Sequence, residues 1–139
     1  MKIYIGDKDI NDESYKKITE IQILNFVAED SECTSIVLDN ILRKFQLNEL
    51  VGAMQLVAKK TRLGGTISIV DIDFDLLCYV YRKNSDIVSL NQAVANAGGF
   101  KSLLTNSLIL ELLKNFPGFK LVSAQANNIE FRVEIQRVS

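Results

Sequence analysis

Three consecutive stretches carry the fold: SIVLDN at residues 35–40, LNELVGAMQLVAKK at 47–60 and LGGTISIVDI at 63–72. Ser35 to Leu38 is a short apolar run of the kind that forms a buried strand, and it stops where the polar pair Asp39-Asn40 begins. In the second stretch Leu50, Val51, Met54, Leu56, Val57 and Ala58 recur at helical spacing, leaving Glu49, Gln55, Lys59 and Lys60 for solvent. Lysines in the last turn suit the negative end of the helix dipole, and Gly64-Gly65 offers the positive-φ positions that stop a helix and reverse the chain. Thr66 to Ile72, rich in β-branched residues, predicts a strand directly after that reversal.

Working outward, Lys2 to Ile5 reads as a first strand that ends in a turn at Gly6-Asp7-Lys8, and the polar residues from Asp7 to Ser14 read as loop. Tyr15 to Phe26 offers material for one or two short strands, with an ambiguous period. Downstream, Phe74–Arg82 and Val88–Ala97 predict helices, and Gly98-Gly99 precedes a third from about Lys101 to Asn115. Residues 115–119 form a turn around the only proline. Strands at Lys120–Ala126 and Ile129–Val138 flank Asn127-Asn128; in the second, Phe131, Val133 and Ile135 alternate with Glu130, Arg132, Glu134 and Gln136. Strands and helices that alternate in the middle and finish in a hairpin define an α/β domain. Its sheet is expected to be mainly parallel, with helices on its faces and a C-terminal antiparallel hairpin.

Composition narrows the chemistry. A chain of 139 residues, 47% apolar and 24% charged, suits one domain over residues 1–139. A formal charge of -1 provides no field for a polyanion, so nucleic acid is not the expected partner. Histidine is absent, which removes Ser-His-Asp and Cys-His catalysis, His-ligated zinc and any imidazole base from this chain. Cys33 and Cys78 lie among apolar residues and are expected as buried free thiols. The N-terminal residues read as strand and turn, and no apolar run approaches the roughly 18 residues of a membrane span, so a cytoplasmic protein is expected.

Lys2-Ile3-Tyr4-Ile5-Gly6, Tyr15, the polar stretch from Asp30 into Ile36, Leu42, the amphipathic helix and Leu63-Gly64-Gly65-Thr66-Ile67 together resemble the class I S-adenosylmethionine-dependent methyltransferases. The resemblance covers most of the chain. It implies a three-layer Rossmann-like fold like the family's seven-stranded sheet. It also implies a donor pocket at Gly6, Asp7, Glu20, Asp39 and Asn40, which would hold S-adenosylmethionine. Three family elements are altered together. The second glycine of the turn is replaced by Lys8, the ribose-binding acid falls at Thr19 with Glu20 one place on, and the Glu-His pair after the fourth strand is replaced by Arg43-Lys44.

Bland readings stand beside these sites. Gly6-Asp7-Lys8-Asp9 also serves as a plain turn, and Asp39-Asn40 as a helix N-cap. Asp71, Asp73 and Asp75 alternate, but they lack the other ligands and the glycine of a calcium loop, so no metal is expected. Arg43, Lys44, Lys59, Lys60 and Arg62 are better explained by dipole compensation than by a basic patch, and Phe74, Tyr79 and Tyr81 by core packing. The leading expectation is a noncatalytic methyltransferase-like domain that acts through protein contacts, as a homo-oligomer or an accessory subunit. The alternatives are an active methyltransferase on a small acceptor and a small-molecule binder without chemistry.

Overall fold

Residues 1–83, 87–97, 99–114 and 116–139 are described in the computed structural model. Six strands, β1 (Lys2–Ile5), β2 (Tyr15–Ile18), β3 (Cys33–Asp39), β4 (Thr61–Ile72), β5 (Phe119–Asn127) and β6 (Glu130–Arg137), form one sheet in the order β2-β1-β3-β4-β6-β5. The first four of that order run parallel, and β6 and β5 add antiparallel. The helices are α1 (Leu24–Val27), α2 (Leu47–Lys60), α3 (Phe74–Lys83), α4 (Ile87–Ala97) and α5 (Asn106–Lys114), with 3₁₀ turns at Ile21–Ile23 and Leu42–Lys44. Among the described residues no helix is long and apolar enough to cross a membrane.

The α/β class, the mainly parallel sheet and the terminal hairpin are as the sequence implies. Register places Ile3, Ile36 and Ile67 side by side, then Ile5, Leu38 and Ile69, and continues the same face through Val133 and Ile135. These residues are buried, and Leu50, Met54 and Val57 of α2 and Ile109 and Leu113 of α5 join them in one core. The opposite face is mixed: Tyr15, Ser35, Val37, Val70, Glu134 and Arg132 on it keep partial or full exposure, while Tyr4 and Ser68 are buried. Six strands stand where the family's sheet has seven, and β1 passes to β2 through Gly6–Ser14 without a helix.

Local differences from the sequence reading have identifiable causes. Tyr15–Phe26 holds one strand, and the isoleucines after it sit on helical turns, Ile21 and Leu24 being fully buried beneath α2. Helix α2 stops at Lys60, before the glycine pair. The Thr61 hydroxyl donates to Val57 O (2.8 Å) and Thr61 is already extended, so β4 starts there and runs through Gly64-Gly65 as an irregularity against β3. Lys60, expected in solvent, is buried because its ammonium donates to Ala28 O (2.9 Å) and meets Asp30 (3.1 Å). Helix α5 starts at Asn106 rather than Lys101, since the Lys101 and Ser102 amides donate to Arg43 O instead. The positions of Gly98 and Asn115 in the expected turns lie outside the described residues.

Gly65 is required by space. A Cβ there would stand 2.8 Å from Cys33 O and 2.9 Å from Arg62 O, both backbone atoms that cannot rotate away. Gly65→Ala is expected to destabilise the chain by about 1–3 kcal/mol through forced backbone displacement. A urea midpoint equal to that of the unsubstituted chain would contradict this account.

Candidate functional site

In parallel α/β sheets ligands bind beyond the carboxyl ends of the strands. Here those ends bring Gly6, Asp7 and Lys8 after β1, Thr19 and Glu20 after β2, and Asp39 and Asn40 at the end of β3 into one neighbourhood. Tyr4 is the side chain on which the arrangement turns. Its neighbours Ile3 and Ile5 enter the core, so strand alternation sends the phenol to the other face, where its hydroxyl donates to Asp39 Oδ2 at 2.5 Å. Burial raises the Tyr4 pKa above the ordinary phenol range, and the hydrogen bond to Asp39 and that carboxylate's charge push it the same way.

The phenol also explains Gly6. A Cβ at residue 6 would lie 2.8 Å from the Tyr4 hydroxyl, so the space beside this glycine is filled from within the chain. Lys8, at the second glycine position of the family turn, reaches Asp39 Oδ1 at 3.6 Å. Asp7 is held by Lys44 Nζ at 2.9 Å, which joins the β1 loop to the 3₁₀ turn after β3. Two ion pairs therefore bridge the ground between β1 and β3.

A cavity of about 330 Å³ remains to one side, lined by Thr19, Glu20, Gln22, Ile41, Lys44 and Lys101 among others. Strand β2 ends at Ile18, so Thr19 and Glu20 lie beyond the pleat and both line this cavity. The two residues therefore share one cavity rather than falling on opposite faces, as strand alternation would place them. Asp39-Asn40 does not cap a helix: the following 3₁₀ turn has Ile41 as its N-cap with no side-chain bond. Asn40 instead takes a left-handed backbone (φ 59°), and its amide donates to Val70 O. Since β3 ends at Asp39, the acid-polar pair directly at the strand end is Asp39-Asn40; Arg43-Lys44 belongs to the turn beyond it.

The sequence readings of the other charged groups also change. Asp71 is fully buried, with Arg43 at 3.6 Å and its carboxylate accepting from the amides of Arg43 and Ile72. Desolvation outweighs these partners and raises its pKa to about 6. Asp73 is a helix cap, and it serves two helices: Oδ1 accepts from Leu76 N of α3 and Oδ2 from Asn106 N of α5. Arg43 is buried and lies over the Phe100 ring (5.1 Å), while Lys59 and Lys60 both meet Asp30, so these cations do not form one basic patch. Tyr79 is 59% exposed, contrary to the core reading, because it points away from the α3 face that buries Leu77. Both cysteines are free; Cys33 is buried and Cys78 half-buried.

Sequence reasoning missed Tyr4 as a site residue, although a phenol between two isoleucines of a strand was the available signal. It also missed Lys101, whose arrival beside Glu20 depends on the loop before α5 and leaves no local pattern.

No family model matches the chain, and no curated protein sequence does. Solved structures do. A SAM-dependent methyltransferase from Archaeoglobus fulgidus aligns with TM-score 0.56 at 10% identity, over 88% of this chain and 67% of that one. An O-methyltransferase family protein from Burkholderia thailandensis aligns with TM-score 0.60 at 13% identity, over 90% and 36%. The 1,6-didemethyltoxoflavin-N1-methyltransferase of the same organism, solved with S-adenosylhomocysteine, aligns with TM-score 0.58 at 11% identity, over 91% and 52%. The chain thus spans from about a third to two thirds of the length of these structures. By fold it is a class I methyltransferase-like α/β domain.

Two outcomes follow from this geometry. Tyr4→Phe removes a partner from the largely buried Asp39 carboxylate and is expected to destabilise the chain by about 1–3 kcal/mol, read by urea unfolding. The second concerns pH. Because the folded-state pKa of Asp71 lies above the ordinary carboxylate value, the folded chain binds this proton more tightly than the unfolded one. Its effect on stability is most favourable below about pH 4 and is lost as pH rises to about 6, by roughly 3 kcal/mol. Exposed Asp12 and Asp30, held low by hydrogen bonds from Ser14 and Lys60, act in the opposite direction but cancel on comparison with Asp71→Asn. From pH 4 to 6.5 the unsubstituted chain should therefore lose stability relative to the variant; parallel profiles would refute the assignment.

Proposed function

We propose that this chain is a methyltransferase-like domain that does not transfer methyl groups and acts through protein contacts, as a homo-oligomer or an accessory subunit. One observation carries the reading: the groups that border the expected donor site are engaged with each other. Tyr4 fills the space beside Gly6 and bonds Asp39, Lys8 meets Asp39, and Asp7 is clasped by Lys44. A glycine turn serves a cofactor by letting it approach the backbone, and here the chain's own phenol takes that approach. The residues present therefore do not fit S-adenosylmethionine at this turn, and no catalytic step is assigned through it. The solved neighbours support the fold, and a shared fold hosts many functions.

A second reading, a small-molecule binder without chemistry, is favoured by the cavity beside Glu20. Its mixed lining of Glu20, Lys44 and Lys101 offers charges of both signs to a polar ligand.

Isothermal titration with S-adenosylmethionine and S-adenosylhomocysteine, at protein concentrations that detect dissociation constants near the millimolar range, separates these readings. No saturable heat is expected from either compound. Saturable binding that is abolished by Glu20→Gln would overturn the noncatalytic proposal and locate the donor in the side cavity.

A further inference from the structure

A second cavity, of about 390 Å³, opens between α2, α5 and the end of β6. Arg137 closes β6, which runs antiparallel to β4 and brings it to Thr61, so this cavity lies at the amino end of β4, the end of the sheet opposite Gly6. Its size is that of a small-molecule site, roughly 300–1,000 Å³. The walls are mainly apolar: Val51 comes from α2, Leu112 from α5, and Phe116 and Phe119 meet edge to face with centroids 6.3 Å apart. Two cations, Lys59 and Arg137, complete the lining, and among the described residues no acidic side chain joins them there.

Arg137 gives this cavity its chemistry. The residue is half-buried, and its fork is fixed on oxygens: Nη1 donates to Thr61 O (2.6 Å) and Ser31 Oγ (3.1 Å), and Nε to Ser139 O (3.2 Å). These bonds hold the guanidinium plane in place and leave Nη2 with its two donors. Among the described residues no Asp or Glu pairs with it. A cation partly removed from water favours an anion beside it, and a fixed guanidinium matches a carboxylate in shape. Lys59 adds to the positive field. Its partner Asp30, at 3.5 Å, lies closer to Lys60, at 3.1 Å, and the Lys59 and Asp30 side chains are both more than half exposed, so their pair is weak and readily exchanged.

We infer that this cavity binds a small amphiphilic carboxylate, with its aliphatic chain against Val51, Leu112, Phe116 and Phe119 and its head on Arg137 and Lys59. A purely apolar ligand leaves the two cations without a counterion, and a purely polar anion leaves the apolar walls in water. A molecule that carries both parts satisfies both. The inference goes beyond the contact-based function proposed above and does not depend on it.

Isothermal titration of the full chain with sodium decanoate tests it, with decylamine as a probe of equal chain length and opposite charge. Decanoate should bind saturably at one site with a dissociation constant on the order of 10–100 µM, and decylamine should bind at least ten-fold more weakly. Arg137→Gln should weaken decanoate at least ten-fold. Lys59→Glu, on the exposed side of α2, should do the same and also strengthen decylamine, a gain that misfolding does not produce. Ala58→Phe, which puts a ring into the cavity, should weaken both probes. Phe26→Ser, which removes an 89% exposed phenylalanine outside the cavity, should change neither. No saturable heat from decanoate, equal affinity for the two probes, decanoate binding indifferent to both charge variants, or binding lost in Phe26→Ser would each overturn the inference.

Discussion

Burial of one face of a parallel sheet is the constraint from which the other features of this domain follow. Ile36 and Leu38 of β3 and Ile67 and Ile69 of β4 are side by side and inaccessible to water, and α2, which connects the two strands, lies over them with Leu50, Met54 and Val57. A parallel pair cannot be joined by a tight turn, so the connection must cross a face, and an apolar stripe on the crossing helix makes that face the core. Strand β6 extends the same face through Val133 and Ile135, and α5 covers its far side with Ile109 and Leu113. With most of the apolar residues committed to that side, alternation delivers Tyr4, Ser35, Val37 and Glu134 to the other.

That division explains the chemistry at the carboxyl end of the sheet. Tyr4 is placed outside the main core by the pleat, yet it is buried by its surroundings, so its hydroxyl requires a partner and finds Asp39. Asp39 has Lys8 nearby, and Asp7 in the same loop has Lys44. A few residues away Asp71 is buried against Arg43, and Asp73 holds the starts of α3 and α5 together. Such a set is stable only as a whole, since removing one member leaves another polar group dry and unmatched. The buried polar groups at these strand ends hold loops in place.

The same structure separates fold from function with unusual clarity. The sheet order, the crossover helix and the terminal hairpin align with methyltransferases over about nine tenths of the chain, at identities too low to say more than fold. Core positions need only be apolar and of suitable volume, so they tolerate wide divergence. A donor site needs particular groups at particular distances and an open approach. The glycine at residue 6 makes room for Tyr4.

Periodicity in the sequence determined α2, the alternation of β6, the buried strand β3 and the terminal hairpin, because these depend on residues a few places apart and on one repeating pattern. It also set aside imidazole chemistry by the absence of histidine. Element ends escaped it wherever a distant group intervened. Arg43 O takes the amides of Lys101 and Ser102 and delays α5, Ala28 O and Asp30 draw Lys60 inward, and Ile21 and Leu24 turn helical where they pack under α2. The residues of the expected site were legible as a group, since strand ends are visible locally, but their roles were not. Whether the Tyr4 phenol is held over Gly6, and whether Asp39 caps a helix or anchors Tyr4, depends on a pairing between residues 35 apart in the chain. Local sequence specifies what a residue is able to do; tertiary contact, by filling or leaving empty the space before it, decided what it does here.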